Sequence, residues 1–234
     1  MQLFYNPNIT ENDTRFNFDK DESRHIVKVL RKSIGDQLHI TNGKGHLFKA
    51  QLIQADMKHC TVNIISQSLQ PKRKYNLHLA VAPTKMNDRY EWFLEKATEI
   101  GIEEITPIIC DNSERKVIKK ERFEKILQAA MKQSLQCYLP KLNPPVAFKE
   151  FIKQEVFGHK FIAHCEDTDR KSLKTQLKTN KDIIILIGPE GDFSSNEIKI
   201  ALATNFIPVT LGNTRLRTET AAIVACHSVA FINE

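Results

Sequence analysis

The sequence predicts an α/β protein in two parts: a small β-barrel carrying one helix over residues 1–72, and a larger α/β domain over 73–234. Three observations predict it. Up to about Leu69 the apolar residues fall in short runs of period two, separated by turn residues. Beyond Pro71-Lys72-Arg73-Lys74, strands alternate with longer helical stretches, the pattern of an α/β domain. Near the C-terminus two apolar strands each end in a glycine loop that opens a helix, and open α/β sheets bind ligands in such crevices.

In the first part, Gln37–Thr41 and Leu47–Ile53 alternate in polarity around Asn42-Gly43-Lys44-Gly45, a hairpin signal, and Cys60–Ile65 is a further strand. Ser23–Arg31 has Ile26, Val29 and Leu30 at helical spacing, with Arg24, Lys28, Arg31 and Lys32 on or just after it. In the second part, Asn76–Ala82 and Glu104–Cys110 read as strands. Between them Asp88–Ile100 is a helix with Phe93, Ala97 and Ile100 on one stripe and Gly101 as its stop. Trp92 on this helix is expected in the core rather than stacked on a base. A charged loop, 111–120, leads to a helix from Glu121 to about Cys137, and Lys160–Cys165 is a strand.

The two glycine loops complete the domain. Asp182–Ile187 is a continuous apolar run, as a strand buried on both faces requires. Gly188-Pro189-Glu190-Gly191 stops it, since proline lacks the amide and glycine permits positive φ. Ser194 with Glu197 three residues later forms a capping box. Ile207–Leu211 repeats the design, ending at Gly212-Asn213 before a helix that starts near Thr218. That last helix is apolar all round from Ala221 to Phe231, which predicts burial in the core or against another subunit.

Several chemistries are excluded. The chain has no P-loop, no G-x-G-x-x-G after the first strand of the α/β domain, and no nucleophile elbow. Five scattered cysteines without Cys-x-x-Cys spacing point to reduced thiols and no structural zinc, and His164 and Cys165 read as fold residues. No apolar run is long enough to span a bilayer, and the N-terminus lacks the features of a signal peptide, so a cytoplasmic protein is expected. The net charge is +6, and residues 1–75 hold twelve Lys/Arg against seven Asp/Glu. That surplus fits either a polyanion partner or a solvated basic face.

Leu186-Ile-Gly-Pro-Glu-Gly191 with Glu197, then Leu211-Gly212 and Leu216-Arg-Thr-Glu-Thr-Ala221, resemble the signature of the ribosomal RNA N3-uridine methyltransferases of the SPOUT superfamily. Arg24-His25 with Val29-Leu-Arg31, Lys85 with Lys96-Ala-Thr-Glu-Ile-Gly101 and Pro107, and Gln133-Ser134 with Pro140 are similar to further motifs of that family, in the same order. Two positions depart from it: Gln2, where a basic residue is common, and Gln136, where the pattern carries Arg.

The resemblance implies a PUA-like RNA-binding barrel, a methyltransferase domain tied in a trefoil knot, and a homodimer. It implies S-adenosylmethionine as cofactor with S-adenosylhomocysteine as product, no metal, and as substrate a uridine near the 3′ end of 16S rRNA in the assembled small subunit. The cofactor would lie among Ile187, Gly188, Pro189, Glu190 and Gly191, and Leu211, Gly212, Asn213, Leu216, Thr218 and Ala221. On pattern alone the glycines are also ordinary turn residues, and Leu211, Leu216 and Ala221 core residues. Arg217 is the candidate stabiliser of negative charge on the uracil or its phosphate, with pairing to a neighbouring carboxylate as the alternative, and Glu219 the candidate base, although a Glu in a first helical turn is also a routine partner of the helix dipole. Arg24, His25, Arg31, Lys85, Arg89, Arg115 and Lys116 are the RNA-contact candidates, with plain solvated surface as the alternative. Two other functions stay open at this stage: a knotted methyltransferase acting on another RNA or atom, such as a tRNA ribose 2′-OH, and a non-catalytic RNA-binding assembly factor.

Overall fold

A computed structural model describes residues 2–155, 157–167 and 169–234. The chain forms two compact units, residues 1–72 with 131–139, and residues 73–130 with 140–234.

The first unit is a five-stranded sheet of β1 (Leu3–Tyr5), β2 (Arg15–Asn17), β3 (Gln37–Thr41), β4 (His46–Gln54) and β5 (Thr61–Leu69), in the order β1-β3-β4-β5-β2. Only β1 and β3 pair in parallel. β1 and β2 are the edges of the ladder, which therefore does not close on itself as a full barrel would. Register shifts in the β4–β5 pairing mark the irregularities that bend such a sheet over its core. Phe4, Phe18, Ile26, Ile40, Phe48, Leu52 and Val62 fill that core. The hairpin expected at Asn42–Gly45 is present: Asn42 Oδ1 accepts from the Lys44 amide at 2.9 Å, and Gly43 and Gly45 adopt φ of 72° and 100°.

The helix of this unit differs from its expected form. α1 (Lys20–Arg24) starts earlier, where the Asp19 side chain caps the Glu22 amide, and His25–Val29 then widens into a π-helical turn. The Leu30 amide donates to His25 O, five residues back. The extra residue per turn rotates Val29 off the Ile26 stripe, so Ile26 is fully buried while Val29 is exposed. Residues 131–139, which the sequence pattern leaves with the second part, join this unit because its hairpin satisfies their backbone. Leu139 N donates to Gly43 O at 2.9 Å and Thr41 Oγ1 to Cys137 O at 3.2 Å.

The second unit holds a parallel sheet built from β6 (Leu77–Val81), β7 (Glu104–Ile109), β8 (Lys141–Leu142), β9 (Val146–Ala147), β10 (His159–Ala163), β11 (Lys171–Ser172), β12 (Ile183–Ile187) and β13 (Ile207–Thr210). The strand order is β11-β13-β10-β12-β6-β7-β8, with β9 also paired to β7. All five residues of β12 are buried, as its uninterrupted apolar run requires.

The helices are α2 (Asn87–Ile100), α3 (Lys120–Gln133), α4 (Phe148–Phe151), α5 (Leu173–Gln176), α6 (Ser195–Ala203) and α7 (Thr218–Asn233). α4 and α6 pack with Ile162, Ile184 and Leu186 in one core, while α2 and α7 pack against each other and α7 against β6 and β12. Tyr90 anchors α2, its buried hydroxyl donating to Val81 O at 3.2 Å and its ring stacked on Phe123. Gly101 ends α2 at φ 110°, and a Cβ there would stand 1.9 Å from Arg73 Nη2. α3 stops at Gln133, short of the expected Cys137, and Leu135 follows at φ 58°. α7 is not buried all round: Ala222, Ala225, Cys226 and Val229 face inward, whereas Phe231 is 68% exposed.

Candidate active site

Because the sheet is parallel, the loops after β10, β12 and β13 leave from the same end of three adjacent strands. The loop after β12, Gly188–Phe193, leads into α6 through the expected capping box: Glu197 N donates to Ser194 Oγ and Ser194 N to Glu197 Oε2. Glu197 is buried and its other oxygen accepts from the Asp111 amide at 2.9 Å, so one carboxylate fastens this loop to the one after β7. Gly188 and Gly191 serve close packing here, not the positive φ expected of them: an added Cβ would lie 3.1 Å from the Phe193 ring and 3.2 Å from Asn112 Cβ, respectively. The residue in the left-handed region is Asp192, at φ 60°. Its carboxylate holds the turn by accepting from the Cys165 amide at 2.6 Å and the Phe193 amide at 2.8 Å.

In the second loop Gly212 has φ 146°, and no atom lies within 4 Å of the position a Cβ would take. The loop is open on that side, with Gly212 and Asn213 exposed and Leu211 and Leu216 half-buried. One buried hydrogen bond ties the two loops together: Thr218 Oγ1 donates to Gly188 O at 3.0 Å. Glu190 is exposed, and one of its oxygens accepts from the Lys85 amide at 2.9 Å, which brings the loop after β6 to the same crevice. Ile187 is buried beneath it, and Ala221 is half-buried in the first turn of α7.

α7 begins with Arg217 as its extended N-cap residue and Glu219 in its first turn. An open pocket of about 710 Å³ lies against this end, lined by Asp88, Arg89 and Trp92 of α2 and by Arg215, Leu216, Arg217, Glu219 and Thr220. Arg217 is exposed to it. Glu219 is buried, its Oε1 is 3.9 Å from Arg89 Nε, and its Oε2 has no hydrogen-bond partner. Trp92 is 44% exposed and so is not the core residue expected; Phe93 and Leu94 take the inner face of α2, which turns Trp92 outward.

The candidate RNA contacts are placed unevenly. Lys85 pairs with Glu114 at 2.8 Å. Arg115 donates to Thr84 O at 3.0 Å and Lys85 O at 2.7 Å, so its guanidinium supports the loop after β6. Lys116 is exposed, and Arg89 joins the pocket of Arg217 and Glu219. In the first unit, Arg24 and Arg31 are exposed, Arg31 at φ 53°, and His25 Nδ1 lies 3.5 Å from Glu22 Oε2. Gln136 donates to Ser134 Oγ at 3.1 Å.

His164, read from its position as a fold residue, follows β10 between the two glycine-loop strands. It is buried with neither ring nitrogen partnered. Burial pushes its imidazole below the ordinary value, and Asp192 opposes the shift. No periodic pattern distinguishes such a residue from a packed one. Among the described residues no cluster of His, Cys, Asp and Glu is arranged to hold a metal ion.

This arrangement can be set beside known proteins. Residues 71–230 match the model of an RNA methyltransferase domain, and residues 18–65 that of an RNA methyltransferase PUA domain. The chain is 33% identical to the ribosomal RNA small subunit methyltransferase E of Buchnera aphidicola, over 90% of this chain and 86% of that one. A solved structure from Porphyromonas gingivalis, described as a probable rRNA-methyltransferase, is 39% identical at a TM-score of 0.92, covering 100% of this chain and 98% of that one. A methyltransferase structure from Legionella pneumophila, in complex with the bound cofactor SAM, is 28% identical at a TM-score of 0.88, covering 99% and 97%. With a PUA-like domain ahead of an α/β domain whose glycine loops meet at one crevice, the chain belongs to the RNA methyltransferase family that includes the ribosomal RNA small subunit methyltransferases E.

Proposed function

We infer that this chain transfers a methyl group from S-adenosylmethionine to N3 of a specific uridine near the 3′ end of 16S rRNA, within the small ribosomal subunit. The observation that carries the reading is the meeting of two glycine loops, joined by the Thr218–Gly188 hydrogen bond, at the start of α7, whose first turn also lines a pocket holding Arg217 and Glu219. The cofactor fits the residues present: a side chain at Gly212 would meet no other residue within 4 Å, and the half-buried Leu211, Leu216 and Ala221 of the same segment would offer it apolar contact. Ile187, Gly188, Pro189, Glu190, Gly191, Asn213 and Thr218 complete the set that would hold it. When bound, S-adenosylmethionine supplies an electrophilic methyl group.

The chain's own task is the acceptor. Uridine N3 is mostly protonated at neutral pH, so it becomes a nucleophile only as its proton leaves. The carboxylate of Glu219, which lines the pocket, takes that proton, and the guanidinium of Arg217 balances the negative charge left on the ring. Arg89, 3.9 Å from Glu219, keeps the carboxylate oriented. Fixing the extruded base against these groups is worth about 7–11 kcal/mol of the barrier when the geometry is good.

The topology supports a trefoil knot. β13 lies beyond β10, yet α7 packs on α2 and β6, so the chain crosses the ends of β10 and β12 between Thr210 and Thr218. The outer face of α7, with half-buried Ile223 and Val224 and exposed Phe231, supports a homodimer. A PUA-like first unit with exposed Arg24, Lys28 and Arg31 supports RNA binding there. Among the described residues no helix is long and apolar enough to cross a membrane, which is consistent with a cytoplasmic site of action. The test is transfer of a labelled methyl group from S-adenosylmethionine to small subunits lacking the modification, with tRNA alongside. Label is expected in 16S rRNA; label confined to tRNA would refute the reading.

A further inference from the structure

We propose that Trp92 is the stacking wall of the subsite that receives the target nucleotide, with Arg215 as the cation that meets its phosphate. This rests on the RNA methyl-transfer reading and names the part of the site that grips the acceptor.

Trp92 and Arg89 stand three residues apart on α2, and Asp88 four, so all three share the helix face turned toward the start of α7. That face lines one side of the 710 Å³ pocket, and Arg215 to Arg217 with Glu219 and Thr220 line the other. The volume lies in the range that small-molecule sites occupy. The indole is 44% exposed and makes no hydrogen bond among the described residues, an unusual setting for so large an apolar group. Arg215 and Arg217 are exposed, and the side chain of neither makes a hydrogen bond or ion pair among the described residues. Glu219 Oε2 is buried and without a partner beside them.

An exposed aromatic face, two unpaired guanidinium groups and a buried carboxylate with a free acceptor define a ligand by chemistry. It has a flat π-system, at least one negative charge and an N–H donor on the ring edge. A uridine nucleotide has all three. Trp92 takes the face of the base, Arg215 the phosphate, and Glu219 the N3–H. The alternative occupant of an exposed tryptophan is a second copy of the chain. The unpaired cations speak against it, because interface cores are depleted in charge whereas an RNA strand brings a negative charge with each nucleotide.

The chain contains one tryptophan, so its indole fluorescence reports this pocket alone. The full chain would be titrated with uridine 5′-monophosphate and with a single-stranded oligouridylate. Saturable quenching is expected, tighter for the oligonucleotide. Methyl transfer to small subunits is then measured for Trp92→Ala and Trp92→Phe. The alanine variant is expected to raise KM by about 5- to 150-fold, the worth of one base–aromatic stack, with unchanged S-adenosylmethionine affinity, and the phenylalanine variant to recover most of the loss. Absence of quenching, a wild-type KM in Trp92→Ala, or a spectral shift on dilution alone, which would place a second copy on the indole, each overturns the proposal. Should Trp92→Ala fail to fold, the wild-type titration and Trp92→Phe still decide it. Wild-type transfer with an unaffected alanine variant sinks the subsite and leaves the methyl-transfer reading intact; quenching without any transfer does the reverse.

Discussion

Replacing Thr218 by valine removes one hydroxyl and keeps the side-chain shape, so it isolates the hydrogen bond that joins the two glycine loops. Thr218 is 4% exposed, and its Oγ1 donates to Gly188 O at 3.0 Å. Without it that carbonyl loses a partner that water cannot readily replace, which costs about 1–3 kcal/mol. For a chain of this size each kcal/mol lowers Tm by about 2–4 °C, so Thr218→Val is expected to melt about 2–12 °C lower. The loops it unties are the ones assigned to the cofactor, so calorimetric affinity for S-adenosylmethionine should fall with stability, and bound cofactor should stabilise the variant less than the wild type. Serine at the same position, which keeps the donor, should recover most of both. A variant of full stability and full affinity would show that this bond does not set the crevice.

Other perturbations separate the remaining roles. Gly212→Val places a β-branched residue at φ 146° and fills the open space beside the loop, so cofactor binding should be lost while RNA binding persists; equal affinity by calorimetry would remove Gly212 from the cofactor site. Arg217→Ala should lower kcat by about 100-fold, the scale of one lost charge-stabilising donor, with little change in cofactor affinity, and unchanged turnover would make it a structural N-cap. Burial holds the imidazoles of His164 and His78 below their ordinary value of 6.5. The unfolded chain therefore binds more protons below pH 6.5, and the stability present above that pH is lost as the pH falls toward the depressed values. His164→Gln should flatten that decline in urea unfolding; an unaltered pH profile would count against His164 as a source of it.

Much of this architecture is legible in the residues because local chemistry and tertiary demand agree. The unbroken, largely β-branched Ile183–Ile187 run stopped by Gly188-Pro189 reads as a strand covered on both faces, and Ser194 with Glu197 marks the start of α6 before any packing is known. What escaped the sequence depends on distant partners. The π-helical turn at His25–Val29 breaks an apparently regular stripe, and 131–139 joins the first unit only because the Asn42–Gly45 hairpin binds its backbone. The left-handed loop residue is Asp192, not a glycine, since its carboxylate accepts from the adjacent Phe193 amide and from the Cys165 amide after β10. Trp92 follows the same logic. It sits beside core residues in sequence, and only the docking of α2 against α7 decides that it faces the pocket.

The identity of the methylated nucleoside decides between uridine N3 and every other acceptor atom. Small subunits lacking the modification, methylated by this chain with labelled S-adenosylmethionine, would be digested and their nucleosides fragmented in a mass spectrometer. One new species is expected, a uridine carrying the methyl group on the base at N3, formed at a single site in 16S rRNA. A methyl group on the ribose, or on any other base, would contradict the roles given to Glu219 and Arg217.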